Sequence, residues 1–314
     1  MKYLSKEVYK QIRQWVYLYA RHLDIARWQY HFENGSPEAV VEALSFYQNE
    51  DGGFGHGLEA DCSNPHSHPV ATDMAYGILK SLGYDDKENP MIQGIIKFIK
   101  NAEYFTEHGW YWSIPSNNNY PCEPYYQFPN APWFPSDWPA ENYINSAMFG
   151  FVLKYFDKEH EIYKKTLRAI EYRLTLMRKY KDFCSFADEW NQQSIEANDW
   201  VSMIELLEDY KLKSAEECSR LKSEFMEIVN SYAIEPVRIY IQKRIEREEI
   251  STAELDAMID NLSSNRLWNE DGLRCEKPND KKDYVSSVSA LWWPIMGAIS
   301  DLKTLKENNR LEVK

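Results

Sequence analysis

Tyr47-Gln48-Asn49-Glu50-Asp51-Gly52-Gly53-Phe54-Gly55-His56-Gly57-Leu58-Glu59-Ala60-Asp61 decides how the chain is read. An apolar-periodic run, Ser36 to Phe46, precedes it, and a second, Ala71 to Leu82, follows the loop with Asn64-Pro65 and His68-Pro69. The four glycines let the backbone turn sharply and lie close against its neighbours. Asn49-Glu50-Asp51-Gly52 recurs as Asn269-Glu270-Asp271-Gly272, again between helical patterns. A shared helix–loop–helix setting marks a repeated hairpin.

Working outward, helical spacing recurs along most of the chain. Ser5 to His22 reads as one amphipathic helix, with Val8, Ile12, Trp15, Val16 and Tyr19 on one face. Ser36-Pro37 gives a cap and a first-turn proline. Further helical runs are Pro90 to Ala102, Asn142 to Phe156, Glu161 to Tyr180, Asp199 to Tyr210, Ser214 to Ala233, Pro236 to Glu249, Thr252 to Leu262 and Val288 to Leu302. The proline density of residues 113–140 excludes a helix there. A loop of that length with its own aromatics reads as a lid or as packed structure. The tail from Lys306 is polar and is expected to fray. No linker divides the 314 residues, so a single all-α domain is expected, an α/α toroid or barrel of helical hairpins.

Composition narrows the function classes. Apolar residues are 44% and charged residues 27%, a globular balance. A net charge of −13 argues against a nucleic-acid surface, which concentrates Lys and Arg. No apolar run approaches the ~20 residues of a membrane span, and Met1 to Lys6 lacks a signal-peptide core. The cytoplasm is the expected compartment. Cys62, Cys122, Cys184, Cys218 and Cys275 are odd in number and dispersed, so no disulfide framework and no structural zinc is expected.

The segment Gln48 to Leu79 resembles a repeat of the protein prenyltransferase β subunits, within the terpenoid cyclase and prenyltransferase α/α-toroid superfamily. Gln48, Gly52, Gly53, Phe54, Gly55, Thr72, Ala75 and Leu79 carry the likeness. Gly272-Leu273, Lys277-Pro278, Asp283 and Leu291 resemble a second repeat. Ala26-Arg27-Trp28, Tyr30-His31-Phe32-Glu33 and Asp51 to His56 resemble pieces recurring in bacterial toroid proteins of unknown role. The resemblance implies a toroid with a central aromatic cavity for a small apolar or isoprenoid-like molecule. It does not imply zinc. Ser286 stands where those enzymes place a zinc-binding histidine, and the Asp-x-Asp-Asp motif of acid-initiated cyclases is missing. No cofactor is expected.

Chemistry concentrates in the glycine loop. Glu59 and Asp61 are the candidate acids, with His56 as partner; paired carboxylates push one pKa up, which suits a general acid. The plainer alternative is that these groups cap helices and tie loop backbone. Trp110, Trp112 and Trp133 are candidate cavity walls, and Glu141, Asn142 and Asp188 candidate ligand contacts, each with a competing role in packing or capping. A small-molecule ligand is the expected partner. Besides the isoprenoid-like reading stand a carbohydrate-active α/α barrel using paired carboxylates and a non-catalytic binding protein.

Overall fold

The computed structural model describes residues 1–101, 103–129, 146–180, 190–269 and 287–312. These residues are mostly helical, with one small two-stranded hairpin, β1 (Phe105–Thr106) and β2 (Gly109–Trp110). The amino-terminal helices are α1 (Lys6–Tyr19), α2 (His22–Phe32), α3 (Pro37–Ser45), α4 (Pro69–Ser81) and α5 (Pro90–Asn101). Then come α6 (Ser146–Tyr155), α7 (Glu161–Leu176), α8 (Trp190–Asp209), α9 (Ala215–Tyr232), α10 (Glu235–Glu246), α11 (Thr252–Ser264), α12 (Arg266–Asn269) and α13 (Ser287–Glu307). The all-α expectation is met.

Local chemistry sets the boundaries. Ser5 caps α1, Ser36 caps α3 ahead of Pro37, and His68 caps α4 ahead of Pro69. Ser214 with Glu217, and Ser251 with Glu254, form capping boxes on α9 and α11. The single helix expected from Ser5 to His22 is instead broken: Ala20 and Arg21 are extended, and the chain restarts as α2. Apolar periodicity does not reveal this break, because its cause is what Arg21 bonds to.

Neighbouring helices follow one another in the chain. Helix α2 packs on α3, α4 on α6, α6 on α7 and α8, and α8 on α9 and α10. Helix α11 packs on α13, which returns to α1 and α2. The two ends of the chain meet: Leu4 N–H donates to Arg310 O (2.9 Å) and Glu312 N–H to Leu4 O (3.1 Å). Arg310 is buried and pairs with Asp256. The tail expected to fray is therefore pinned, because its few apolar and charged groups find partners on α11 and the amino terminus. One apolar core joins α2 to α10; a second joins Leu4, α1, Trp28 and α11 to α13. Helix α2 serves both, through Leu23 and Ala26 on one side and Trp28 on the other. Among the described residues no helix is long and apolar enough to cross a membrane.

The glycine loop is held by backbone contact. Gly52 sits at φ 93°, and a Cβ there would lie 2.0 Å from the Gly94 carbonyl oxygen on α5. Gly83, at φ 74°, has open space around it. Gly83→Ala is expected to cost about 1–2 kcal/mol from backbone conformation alone. Gly52→Ala adds overpacking and should cost about 3 kcal/mol or more. Denaturant unfolding of the two variants checks the difference; equal costs would show that α5 is not pressed on the loop.

Candidate functional site

The first half of the glycine loop is occupied with holding itself. Asn49 Nδ2 donates to Pro65 O (3.0 Å) and Ser67 Oγ (2.9 Å). Asp51 Oδ1 accepts from Gly53 N–H (2.9 Å) and Ser67 Oγ (2.6 Å). Thr72 Oγ1 accepts from Phe54 N–H (3.1 Å), tying the loop to α4. His56 is exposed, at φ 56°, and its Nε2 lies 2.8 Å from Asn49 Oδ1. The structure thus gives His56 an amide partner within its own turn, where the sequence pointed to an acid. On this side an open pocket of about 610 Å³ is lined by Asn49, Asp51, His66, Ser67, Phe98 and Tyr104, among others.

The second half turns inward. Buried Arg21 donates through Nη1 to Gly57 O (3.0 Å) and Leu58 O (2.9 Å), and through Nε to Asp24 (2.7 Å). Its guanidinium lies 4.7 Å over the Trp292 ring. These bonds carry the chain into the core, where Glu59 is 3% and Asp61 6% exposed. Glu59 Oε1 accepts the Asp61 N–H at 3.1 Å, and the Tyr126 hydroxyl also hydrogen-bonds Glu59. Burial pushes the Glu59 carboxyl up to about 7; the Asp61 charge adds to this, while the Asp61 N–H, Arg21 and Tyr126 pull the other way. Asp61 acts only as an acceptor: Oδ1 takes Trp293 Nε1–H (2.7 Å) and Oδ2 the Tyr125 hydroxyl. Burial, then the bond to Asp61, raises Tyr125 far above its ordinary value, and burial does the same to Tyr126. Both phenols stay protonated donors.

A second segment closes over the acids. Glu123 N–H donates to Asp61 O (2.8 Å) and Ser63 N–H to Pro121 O (2.9 Å). A disulfide joins Cys62 to Cys122, a single bond where the dispersed cysteines suggested no disulfide framework. The two are 60 positions apart, and only the fold brings them together. Asn64 Nδ2 reaches Ser116 Oγ (2.8 Å) and Asn117 Oδ1 (2.7 Å), and Ser289 Oγ reaches Ala60 O (3.0 Å).

Of the residues singled out from sequence, Glu59 and Asp61 come together. Trp112 is half-buried and stacks on Tyr126 (5.1 Å, 14°), in the layer behind Glu59. Trp110 is a core residue stacked on Phe105 (4.4 Å, 6°). Trp133, Glu141, Asn142, Asp188, Ser286 and the loop from Glu270 to Gly272 lie outside the described residues. Sequence reasoning missed Arg21, Tyr125, Tyr126 and Trp293 as parts of one site. The only local signal was aromatic density in a proline-rich stretch. Elsewhere, buried Arg173 pairs with Asp199 and lies 3.6 Å from Glu196, whose carboxyl burial pushes up to about 7. Among the described residues no three His, Cys, Asp or Glu side chains gather as metal ligands would.

Loop closure across 60 positions is worth about 4 kcal/mol in the chain-entropy account of disulfides. Reduction with a dithiol, or Cys122→Ser, should lower the unfolding free energy by up to that amount. An unchanged denaturation midpoint would show that no such bond forms.

Titration of two buried groups has opposite signs. Glu59 is raised from 4.5 to about 7, so its contribution is fully present below pH 4.5 and is lost as pH rises through 7, by about 3 kcal/mol. Glu59→Gln should therefore gain stability over the parent across that window. His68 is fully buried, its Nε2 lacks a hydrogen-bond partner, and burial lowers it to about 4. Its contribution is present above pH 6.5 and lost as pH falls through 4. His68→Asn keeps a cap acceptor for Ala71 N–H and should flatten the acid limb of the stability profile; an unaltered limb would show that His68 is not held neutral. No family model, no curated protein and no solved structure matches the chain.

Proposed function

We propose that the protein is an enzyme that binds a small hydroxylated molecule at the Glu59–Asp61 pair and transfers a proton to it from Glu59. The observation that carries this is the pair itself: a buried carboxyl raised to about 7 beside a second carboxyl that only accepts hydrogen bonds. A general acid works best when its pKa lies near the working pH, and burial next to a like charge produces that in a glutamate. Asp61, steadied by Trp293 and Tyr125, is placed to stabilise positive charge developing on the ligand.

The scaffold we propose is an α/α toroid. Its support is the two runs of packed helices, one from α4 to α10 and one from α11 through α13 to α1, α2 and α3, with the joined chain ends. Hydroxyl and N–H groups of Tyr125, Tyr126 and Trp293 converge on the acids, and Trp112 stacks behind them. Carboxyls and phenol oxygens among ring faces suit a hydroxylated ligand better than a hydrocarbon, which favours the paired-carboxylate carbohydrate reading over the isoprenoid one. A second, non-catalytic reading has its own support, since Asp61 has both oxygens engaged within the protein and Glu59 bonds the Asp61 N–H and Tyr126. In that reading the pair is a strut.

A panel of aryl glycosides separates the two. The catalytic reading expects turnover that falls above about pH 7 as Glu59 loses its proton, and Glu59→Gln should lower kcat about a hundredfold or more with the fold intact. Absence of turnover across the panel, or full activity in Glu59→Gln, would leave the strut.

A further inference from the structure

The segment over the acids is a strap that closes on itself. Ser113 Oγ donates to Gln127 O (3.3 Å) and Asn117 Nδ2 to Tyr126 O (3.2 Å), so the two ends of residues 113–127 meet. A loop whose ends are joined by its own side chains keeps its shape and can shift as one body. The strap lies antiparallel along residues 59–66. Tyr126 meets Glu59, Tyr125 and Glu123 meet Asp61, Pro121 meets Ser63, and Tyr120 meets His66. The covalent tie, Cys62 to Cys122, stands in the middle of this row.

The strap keeps ligands from the carboxyls. Glu59 and Asp61 are buried, and the strap sets Tyr125 on Asp61 Oδ2 and Tyr126 on Glu59. A ligand cannot take a place that a phenol already fills. The other donors come from outside the strap: Trp293 on α13 holds Asp61 Oδ1, and the Asp61 N–H holds Glu59 Oε1. Lifting the strap therefore frees part of each carboxyl and leaves the rest of its support in place. Trp293 is 37% exposed, so solvent already reaches the group next to Asp61. At the strap's other edge Ser116 borders the open pocket of about 610 Å³, which leaves that edge room to move. Opening is still uphill, because the Tyr126 ring belongs to the larger apolar core. It is rarer again while a covalent bond at residue 122 holds both tyrosines beside the acids.

We propose that residues 120–126 are a cover over the Glu59–Asp61 pair and that the Cys62–Cys122 bond is its redox latch, opened by a dithiol reductant. Cys62 is fully buried, whereas Cys122 is half-buried beside exposed Pro121, so a reductant meets Cys122 first. One thiolate of the dithiol attacks Cys122 Sγ and forms a mixed disulfide. The bond to Cys62 breaks, and Cys62 Sγ leaves with the electron pair and takes a proton. The second thiol of the dithiol then displaces Cys122 Sγ, which is protonated in turn. Two cysteine thiols and one oxidised dithiol result. Where thiol pools keep most cysteines reduced, a bond of this kind is transient, and there it works as a switch. Local opening still occurs in the oxidised form, so basal turnover is low rather than zero. The cover rests on the proposed function only for what the uncovered acids do.

Carboxyl labelling of the whole protein with a water-soluble carbodiimide and glycinamide, located by mass spectrometry, reads the cover without any turnover. Dithiothreitol should release two further thiols, at Cys62 and Cys122, and speed labelling of Glu59 and Asp61 about tenfold or more. Reoxidation should restore the slow rate. Glu196, buried elsewhere in the fold, is the control and should label slowly in both states. Cys122→Ser should label as the reduced protein does and ignore dithiothreitol. Turnover of an aryl glycoside should rise together with labelling. Faster labelling with no turnover in either state upholds the cover and removes the proton-donor reading. Equal labelling in both states, a rise shared by Glu196, or no new thiols overturns the cover and leaves Glu59 to its own assay. Turnover that falls on reduction also overturns it, since the strap would then be a working part of the site.

Discussion

The site depends on one guanidinium. Arg21 stands at the break between two helices and satisfies three things together: the Asp24 carboxylate, the Gly57 carbonyl and the Leu58 carbonyl. Carbonyls drawn into a core without partners would each carry a desolvation penalty of about 1–3 kcal/mol. Arg21 removes that penalty at the step where the loop turns from the surface to the interior. It also explains why α1 and α2 are separate helices, since the extended residue 21 aims its side chain across α2 toward the loop. Helix α2 is where the two apolar cores meet, so this polar group lies at the junction of the structure.

Electrostatics inside the fold work in opposing directions. Glu59, Asp73 and Glu196 are each pushed up to about 7, chiefly by burial, while His31 and His68 are pushed down to about 4. In every case burial favours the neutral form. Deprotonated carboxyls weaken the fold toward alkaline pH, and protonated histidines weaken it toward acid. Interior titratable groups of both kinds confine maximum stability to a band below neutrality.

The acids themselves are held from four distant parts of the chain. The loop at 57–62 brings the carboxyls, residues 121–126 bring Tyr125 and Tyr126, α2 brings Arg21, and α13 brings Ser289 and Trp293. The Cys62–Cys122 disulfide and the pairing of Glu123 with Asp61 lock two of these together. Loosening the 121–126 segment would remove the hydroxyl donors from both carboxyls.

The sequence by itself determined the local architecture. Helical periodicity, Ser caps at 5, 36, 214 and 251, and prolines at 37, 69 and 90 are short-range signals, and the helices follow them. Glu59 and Asp61 were legible as a pair because they are two residues apart. His56, read beside them in the sequence, has its Nε2 at 2.8 Å from Asn49 Oδ1, because closeness in sequence says nothing about direction once glycines turn the chain. Only the tertiary structure decided that Arg21, Tyr125 and Trp293 belong to the same site, that Cys62 meets Cys122, and that the polar tail is pinned through Arg310. The physical reason is range. Caps and periodicity act within a helical turn or two, whereas burial, which raises Glu59, depends on what the rest of the chain places around it.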